Sequence, residues 1–163
     1  MPNYQTDRKW SDHFIPTIKQ IVGPFLLEPS SLELDMVQAT DLMVLVGRDI
    51  RIAARVRRPG YSERYPYEFT IRSQRDSGAE TELNKIVNGW GDWLFYGHSD
   101  SSGTIPRWWL VDLSSFRAAL IRRNGSIGIN QSNGDGTHFV AFDVRQFPKN
   151  PPILVAGSHE PSP

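Results

Sequence analysis

The spacing of apolar residues along the chain predicts alternating helices and strands. Residues 11–22 place apolar side chains three and four positions apart, which is typical of a helix, and Pro16 is compatible with its first turn. Three runs with strand character follow, then a second helical stripe, a buried strand and a short helix. These segments lie at residues 41–46, 50–58, 68–73, 77–94, 107–113 and 114–120.

This order of elements predicts the fold class. Three consecutive strands favour an antiparallel meander, and the second helix would return the chain to a fourth strand parallel to one of the three. We therefore predict an α/β fold with a mixed four-stranded core sheet, in helix-strand-strand-strand-helix-strand order, plus a small C-terminal β appendage. We assign the core to residues 1–123. Residues 124–163 form a β extension and a Pro-rich tail packed on the same domain, with a hairpin turn at residues 133–136.

Composition excludes several classes of protein. The 163 residues include no cysteine, which excludes a disulfide scaffold, a zinc-thiolate site and a thiol nucleophile. No apolar run approaches the roughly 18–20 residues that span a bilayer, and the polar N-terminus has no apolar signal core. We expect a cytoplasmic protein without membrane contact.

The charges are concentrated although they balance overall. Lysine and arginine together number 18, as do aspartate and glutamate, yet residues 48–75 hold eight arginines against three acidic residues. The planar guanidinium of arginine matches a phosphate with two parallel hydrogen bonds. This segment is either a face that binds an anionic partner or a solvated strand with internal ion pairs, and the sequence leaves both interpretations open. The candidate nucleic-acid-binding residues are Arg51, Arg55, Arg57, Arg58, Arg72 and Arg75.

A family resemblance comes from the aspartate-bearing strand and the strands after it. Residues 38–45 carry Asp41, a basic strand follows, and residues 89–97 precede the strand at 107–113. This order resembles the core of the PD-(D/E)XK nuclease-like superfamily, which includes restriction endonucleases, Holliday-junction resolvases and many phage and mobile-element proteins. In this comparison, residues 89–97 look like the second helix and residues 107–113 look like the closing strand.

The resemblance implies a Mg²⁺ site with a degenerate motif. In the family an aspartate and a glutamate hold Mg²⁺, which activates water, and a lysine stabilises developing charge. Asp41 is the candidate aspartate. The expected glutamate and lysine positions fall on Arg55 and Arg57, of which Arg57 can replace the lysine as a cation, whereas Arg55 cannot ligate a metal.

The missing carboxylate has one candidate replacement. Glu68 begins the third predicted strand, so the acidic ligand could have moved there to complete the metal site with Asp41, with Arg72 as the cation. Alternatively, the register differs by one strand, so that Glu68 lies on the family's glutamate strand, Arg55 is merely electrostatic and Asp35 joins as a third carboxylate. Alternatively, Glu68 is an ion-pair partner of a nearby arginine. The candidate catalytic residues are therefore Asp41, Glu68 and Arg57, and the candidate metal ligands are Asp41 and Glu68.

Two further groups of residues have alternative interpretations. His98 could act as a base with Asp100, although a histidine at this place more often caps a helix end. Four tryptophans could be stacking platforms for bases, but their spacing favours packing in the core. They are Trp90, Trp93, Trp108 and Trp109.

We therefore predict a nucleic-acid-associated protein on a nuclease-like fold, of the phage or mobile-element type, with Mg²⁺-dependent phosphodiester hydrolysis as its enzymatic form. The first alternative is a catalytically silent relative that binds or inhibits a protein partner, as in counter-defence. The second is an oligomeric structural protein with the arginine strand as its interface, and a homo-oligomer is expected in either case. The sequence contains none of the glycine-rich nucleotide motifs and no serine-hydrolase elbow.

Overall fold

A computed structural model of the protein describes residues 9–26, 28–29, 42–43, 50–74, 77–123, 125 and 127–159. The chain divides into two compact units, residues 1–50 and residues 51–163. None of the described helices is long and apolar enough to cross a membrane. The sequence-based boundary between residues 123 and 124 stays a prediction.

The first unit contains the predicted N-terminal helix, α1 (Ile15–Val22), in which Pro16 lies in the first turn as expected. The residue before α1 is Phe14, and no side chain caps the helix. A 3₁₀ turn, Gly23–Leu26, follows α1.

A short antiparallel pair completes the described part of this unit. Strand β1 (Glu28–Pro29) pairs with β2 (Leu42–Met43). Of the predicted strand at residues 41–46, only these two positions of β2 are described. Asp41 and Asp35 lie outside the described residues.

The second unit contains seven strands and three α-helices among its described residues. In chain order the elements are β3 (Ile52–Arg57), α2 (Tyr61–Arg64), β4 (Glu68–Gln74), α3 (Glu82–Val87), β5 (Trp93–His98), β6 (Arg107–Asp112), α4 (Leu113–Arg122), β7 (Ile129–Ser132), β8 (His138–Asp143) and β9 (Leu154–Gly157). A 3₁₀ turn, Val144–Gln146, follows β8.

These strands form two sheets. The first is a mixed four-stranded sheet in the order β3-β5-β6-β9, with β3 parallel to β5 and the other neighbours antiparallel. The second is antiparallel, in the order β4-β8-β7. The α/β class with a mixed four-stranded sheet is confirmed, as is the β7–β8 hairpin. The predicted parallel direction of the strand at residues 107–113 is wrong, because β6 is antiparallel to both of its neighbours, β5 and β9. The strand parallel to β3 is β5, which the sequence did not predict as a strand.

The predicted meander of three consecutive strands is wrong, because β3 and β4 belong to different sheets. The connection between them contains the helical turn α2 instead of a tight hairpin turn, so nothing local holds the two strands in one ladder. Strand β4 pairs instead with β8, which comes from the C-terminal part of the chain.

The core of this unit lies between the sheets and helices α3 and α4. Leu94, Tyr96 and Trp109 of the first sheet belong to the same buried cluster as Phe69 of the second and Phe116 of α4. The Phe69 ring lies 6.3 Å from the Tyr96 ring and 5.8 Å from the Phe116 ring, centre to centre. This packing positions one end of β3 and β5 beside β4.

The helical stripe predicted through residue 94 is wrong, because α3 ends at Val87 and β5 begins at Trp93. Gly89 and Gly91 both have positive φ, 91° and 77°, a conformation that ends a helix and that other residues rarely adopt. Residues 89–97 are therefore a turn and a strand, where the family resemblance predicted a helix. Trp90 is 61 % exposed as a result.

Candidate functional site

The arginines of β3 point towards the side of the first sheet that carries the core. Arg55 pairs in register with Tyr96 and Arg57 pairs with His98 on the parallel strand β5. Residues directly paired across two strands share a face of the sheet, and Tyr96 belongs to the core cluster. The sequence left the facing of this strand open, and the structure places Arg55 and Arg57 inward.

Arg55 is held inside the protein. Its Nη1 donates a hydrogen bond to the backbone oxygen of Thr70 at 3.0 Å, and its Nη2 lies 3.3 Å from Oε2 of Glu82. The Arg55 side chain is 24 % exposed. These contacts join β3 to β4 and to the start of α3, so Arg55 fits the internal ion-pair interpretation of the arginine segment.

Arg51, which precedes β3, is also paired with a carboxylate. Its backbone N–H donates to Oδ2 of Asp92 at 2.8 Å, and its Nε lies 3.6 Å from the same oxygen. Its guanidinium carbon lies 5.9 Å from the centre of the exposed Trp90 ring. Arg58 is exposed after β3, Arg72 is half-buried on β4, and Arg75 lies outside the described residues.

A cavity of about 220 Å³ lies where the ends of β3 and β5 meet the second sheet. Its floor is buried and polar, its walls are half-buried, and its rim is exposed. The floor residues are Thr70, Tyr96 and His98; the wall residues are Arg57, Glu68, Gln131 and Phe139; the rim residues are Tyr61, Arg64, Tyr65, Ser132 and Asn133. The structure thus brings together two predicted catalytic residues, Arg57 and Glu68.

His98 is the most unusual group of the cavity floor. Its side chain is 1 % exposed, and neither ring nitrogen has a hydrogen-bond partner among the described residues. Burial lowers the pKa of His98 to about 4. Hydrogen bonding to the backbone of Glu68, too poor in geometry to count as a formed bond, opposes the shift, as does the Glu63 carboxylate, whereas Arg57 and Arg107 lower the pKa further. The imidazole is therefore neutral at pH 7, with one N–H donor and one acceptor nitrogen.

The predicted His98–Asp100 pair does not form. Asp100 is half-buried, and its carboxylate accepts hydrogen bonds from Ser102 and Thr104 in its own turn. These bonds lower the pKa of Asp100 to about 2. His98 lies at the end of β5, so it does not cap a helix either.

The rest of the floor is a hydrogen-bonded pair. The Tyr96 hydroxyl lies 2.9 Å from Oγ1 of Thr70, and either group could be the donor. Burial raises the pKa of Tyr96, although Arg57, Thr70 and Arg55 each oppose the shift. Tyr96 is therefore a neutral hydroxyl at pH 7.

Glu68 lies at the start of β4, opposite Asp143 of β8. Burial raises the pKa of Glu68 and the Asp143 carboxylate raises it further, while Arg145 lowers it. Asp143 is itself held by Arg145, whose Nη2 lies 2.6 Å from its Oδ2. Glu68 thus contributes an acidic group to a wall of the cavity, next to the ion pair between Asp143 and Arg145.

The rim combines cations with aromatic rings. The guanidinium carbon of Arg57 lies 4.2 Å from the centre of the Tyr61 ring, and the Tyr61 and Tyr65 rings lie 6.5 Å apart. Both tyrosines are exposed, as is Arg64, because all three belong to α2 or follow it directly. The backbone oxygen of Arg57 accepts hydrogen bonds from the N–H and the Oγ of Ser99, which holds the end of β3 in place.

The described residues do not fit a Mg²⁺ site. Among them, Glu68 is the only carboxylate that lines the cavity, and two arginines line it as well. Mg²⁺ requires several oxygen ligands, and neighbouring cations repel it. No group of three or more His, Cys, Asp or Glu side chains in the described ranges could hold a metal ion. The Mg²⁺ site, which also requires Asp41, stays a prediction.

Comparison of the chain with protein-family models, with curated proteins and with solved structures finds no match. The resemblance to the nuclease-like superfamily is therefore an interpretation of the sequence pattern alone.

Most of the cavity was not predicted from the sequence. The rim had a usable signal, because Tyr61, Arg64 and Tyr65 form a cluster of aromatic and cationic residues in a segment punctuated by proline and glycine. On the floor only His98 was singled out from the sequence, because Thr70 and Tyr96 carry no signal that distinguishes them from ordinary core residues. The predicted core role of the tryptophans holds for Trp109, which is fully buried, and not for Trp90.

Proposed function

We propose that this protein binds nucleic acid and holds a backbone phosphate at the rim of the cavity. The observation that carries this proposal is the arrangement of Arg57 and Arg64 with the exposed rings of Tyr61 and Tyr65. Proteins that bind nucleic-acid strands combine cations that hold the backbone with aromatic rings on which bases stack. This rim offers both within one short segment of the chain.

The other arginines contribute less to this proposal. Arg51 and Arg55 are paired with carboxylates, and a phosphate would have to compete with Asp92 and Glu82 for them. Arg57 lies instead against a neutral ring, which leaves the edge of its guanidinium for an anion. We therefore assign the phosphate contacts to Arg57 and Arg64.

The dependence of binding on salt tests the proposal. Each phosphate contact on a single strand changes the logarithm of the affinity by about −0.7 per tenfold increase in salt. Fluorescence anisotropy with labelled single-stranded DNA, duplex DNA and RNA at several salt concentrations gives this slope. We expect the double variant R57A/R64A to bind more weakly and to lose about 1.4 units of slope on a single strand.

A matched control uses R122A/R123A, which removes two exposed arginines at the end of α4 that do not line the cavity. We expect this control to retain the wild-type slope. An equal loss of slope in the two double variants would show that binding responds to net charge alone and would refute the assignment to the rim. Absence of binding by the wild type to all three nucleic acids would refute the proposed function.

Phosphodiester hydrolysis is tested in the same samples. Incubation with circular DNA, linear DNA and RNA in Mg²⁺, Mn²⁺ or EDTA shows whether the protein cleaves. Metal-dependent cleavage that is lost in D41A and E68Q would support the enzyme, and binding without cleavage would support a silent relative. A different outcome would favour the structural alternative. In that case the wild type sediments as an oligomer, R57A/R64A sediments as a smaller species, and the variant binds every nucleic acid as tightly as the wild type does.

A further inference from the structure

The cavity floor contains a buried histidine without a well-formed hydrogen bond. Buried polar side chains in folded proteins nearly always have a partner, because an unsatisfied group costs free energy. The backbone of Glu68 is close enough to act on the His98 ring and can serve one of its nitrogens, yet neither nitrogen makes a hydrogen bond of good geometry with the described residues, although the side chain is fully buried and lines the cavity. Such a group calls for a bound molecule that supplies the missing hydrogen bonds.

The chemistry of the floor favours a neutral, flat, hydrogen-bonding molecule over an anion. A neutral imidazole offers one donor and one acceptor, and the hydrogen-bonded hydroxyls of Thr70 and Tyr96 together keep one free donor and further acceptor lone pairs. On the walls, Gln131 adds an amide and Phe139 an aromatic ring. A nucleobase edge has both donors and acceptors, and its faces stack on aromatic rings.

Charge separates the interior from the rim. Glu68 on the wall disfavours a phosphate deep in the cavity, whereas Arg57 and Arg64 attract one towards the opening. A nucleotide has the same division, with a neutral base and an anionic phosphate. Its base would therefore lie inward and its phosphate outward.

The size of the cavity limits the ligand to a single base. Its volume of about 220 Å³ is below the roughly 300–1,000 Å³ of sites for drug-sized ligands. A base within a duplex is stacked and paired, so it can enter such a pocket only after it is turned out of the helix. Turning a base out of a duplex costs free energy, and this cost is smallest in a single strand, where the base is unpaired.

We propose that the cavity receives one unpaired base of a single-stranded nucleic acid, with the base edge hydrogen-bonded to His98 and the adjacent phosphate at Arg57 and Arg64. This inference rests on the proposed binding of nucleic acid and specifies the form that is bound. The preference for single strands follows from the need to place a base on the floor.

The experiment compares three labelled probes of equal length by fluorescence anisotropy: a single strand, a duplex, and a single strand of abasic sites that keeps every phosphate. We expect the wild type to bind the single strand about tenfold more tightly than the abasic strand, which reflects the lost hydrogen bonds and stacking. We expect H98F to lose about tenfold in affinity for the single strand and nothing for the abasic strand. The control H138F alters a half-buried histidine outside the cavity and should bind as the wild type does.

A second measurement does not depend on the folding of the variants. The ring ¹⁵N resonances of His98 in the wild type should shift when the single strand is added and should not shift with the abasic strand. Equal affinity for the single and abasic strands, or unchanged His98 resonances under saturation, would overturn this inference. Either result would leave nucleic-acid binding at the rim intact, whereas a wild type that binds none of the probes would remove both proposals.

Discussion

The buried, neutral state of His98 makes the stability of this protein depend on pH in a calculable way. The folded-state pKa is about 4, whereas a histidine in an unfolded chain titrates near 6.5. Between these values the unfolded chain binds more protons than the folded protein, so the free energy of unfolding rises with pH. The stability that depends on a neutral His98 is fully present above about pH 6.5 and is lost as the pH falls towards 4.

The size of the effect follows from the two pKa values. Lowering the pH from 7 to 5 should reduce the free energy of unfolding by about 2 kcal/mol through His98 alone, and the limit at lower pH is about 3 kcal/mol. The variant H98F removes the titrating group and keeps a flat ring on the floor. We therefore expect its stability to fall less than that of the wild type over this range.

Urea unfolding at pH 7, 6 and 5, followed by circular dichroism and tryptophan fluorescence, measures the difference between the two proteins. The titratable groups near His98 are present in the wild type and in H98F, so their effects on the free energy of unfolding largely cancel in the difference. This holds for Glu68 too, whose raised pKa makes stability fall as the pH rises, opposite to the effect of His98. Parallel loss of stability in wild type and H98F would refute the reasoning. It would mean that His98 is already charged, or satisfied by hydrogen bonds, in the folded protein.

Two further predictions concern the frame that holds the cavity. Arg55→Ala should lower the free energy of unfolding by about 1–3 kcal/mol, because the Thr70 backbone oxygen and the Glu82 carboxylate both lose the guanidinium that they contact. Thermal melts of the wild type and the variant measure this loss. The same variant should keep the wild-type salt slope, and a lost slope without lost stability would contradict the internal role of this arginine. Gly128→Ala should cost about 2 kcal/mol or more, because φ is +104° and the new methyl carbon would lie 2.6 Å from Cγ1 of Val140. Gly134→Ala, where the methyl carbon meets nothing within 4 Å, is the control, and equal urea midpoints for the two variants would contradict this steric argument.

The sequence by itself determined the elements with strong local signals. Alternation and β-branched residues located β3 and β6, and the Asn-Gly and Asp-Gly pairs located the β7–β8 turn. The helix-to-strand order was sufficient for the α/β class. It was not sufficient for the parallel pairing, because the strand parallel to β3 is β5, which lies where the apolar stripe predicted the end of a helix. Local signals failed where two glycines ended α3, since the apolar stripe continued through them into β5.

Only the tertiary structure decided which arginines line the cavity and which are paired with carboxylates. Alternation places Arg51, Arg55 and Arg57 on one side of a strand. It does not show which side the core covers, or which arginine lies close enough to a carboxylate to form an ion pair. The pairing of β3 with β5 sets Arg57 beside His98, and the ladder of β4 with β8 brings Glu68 and Phe139 to the same cavity. These residues are distant in the chain, and strand pairing depends on the burial of whole faces, which no local stretch of sequence specifies.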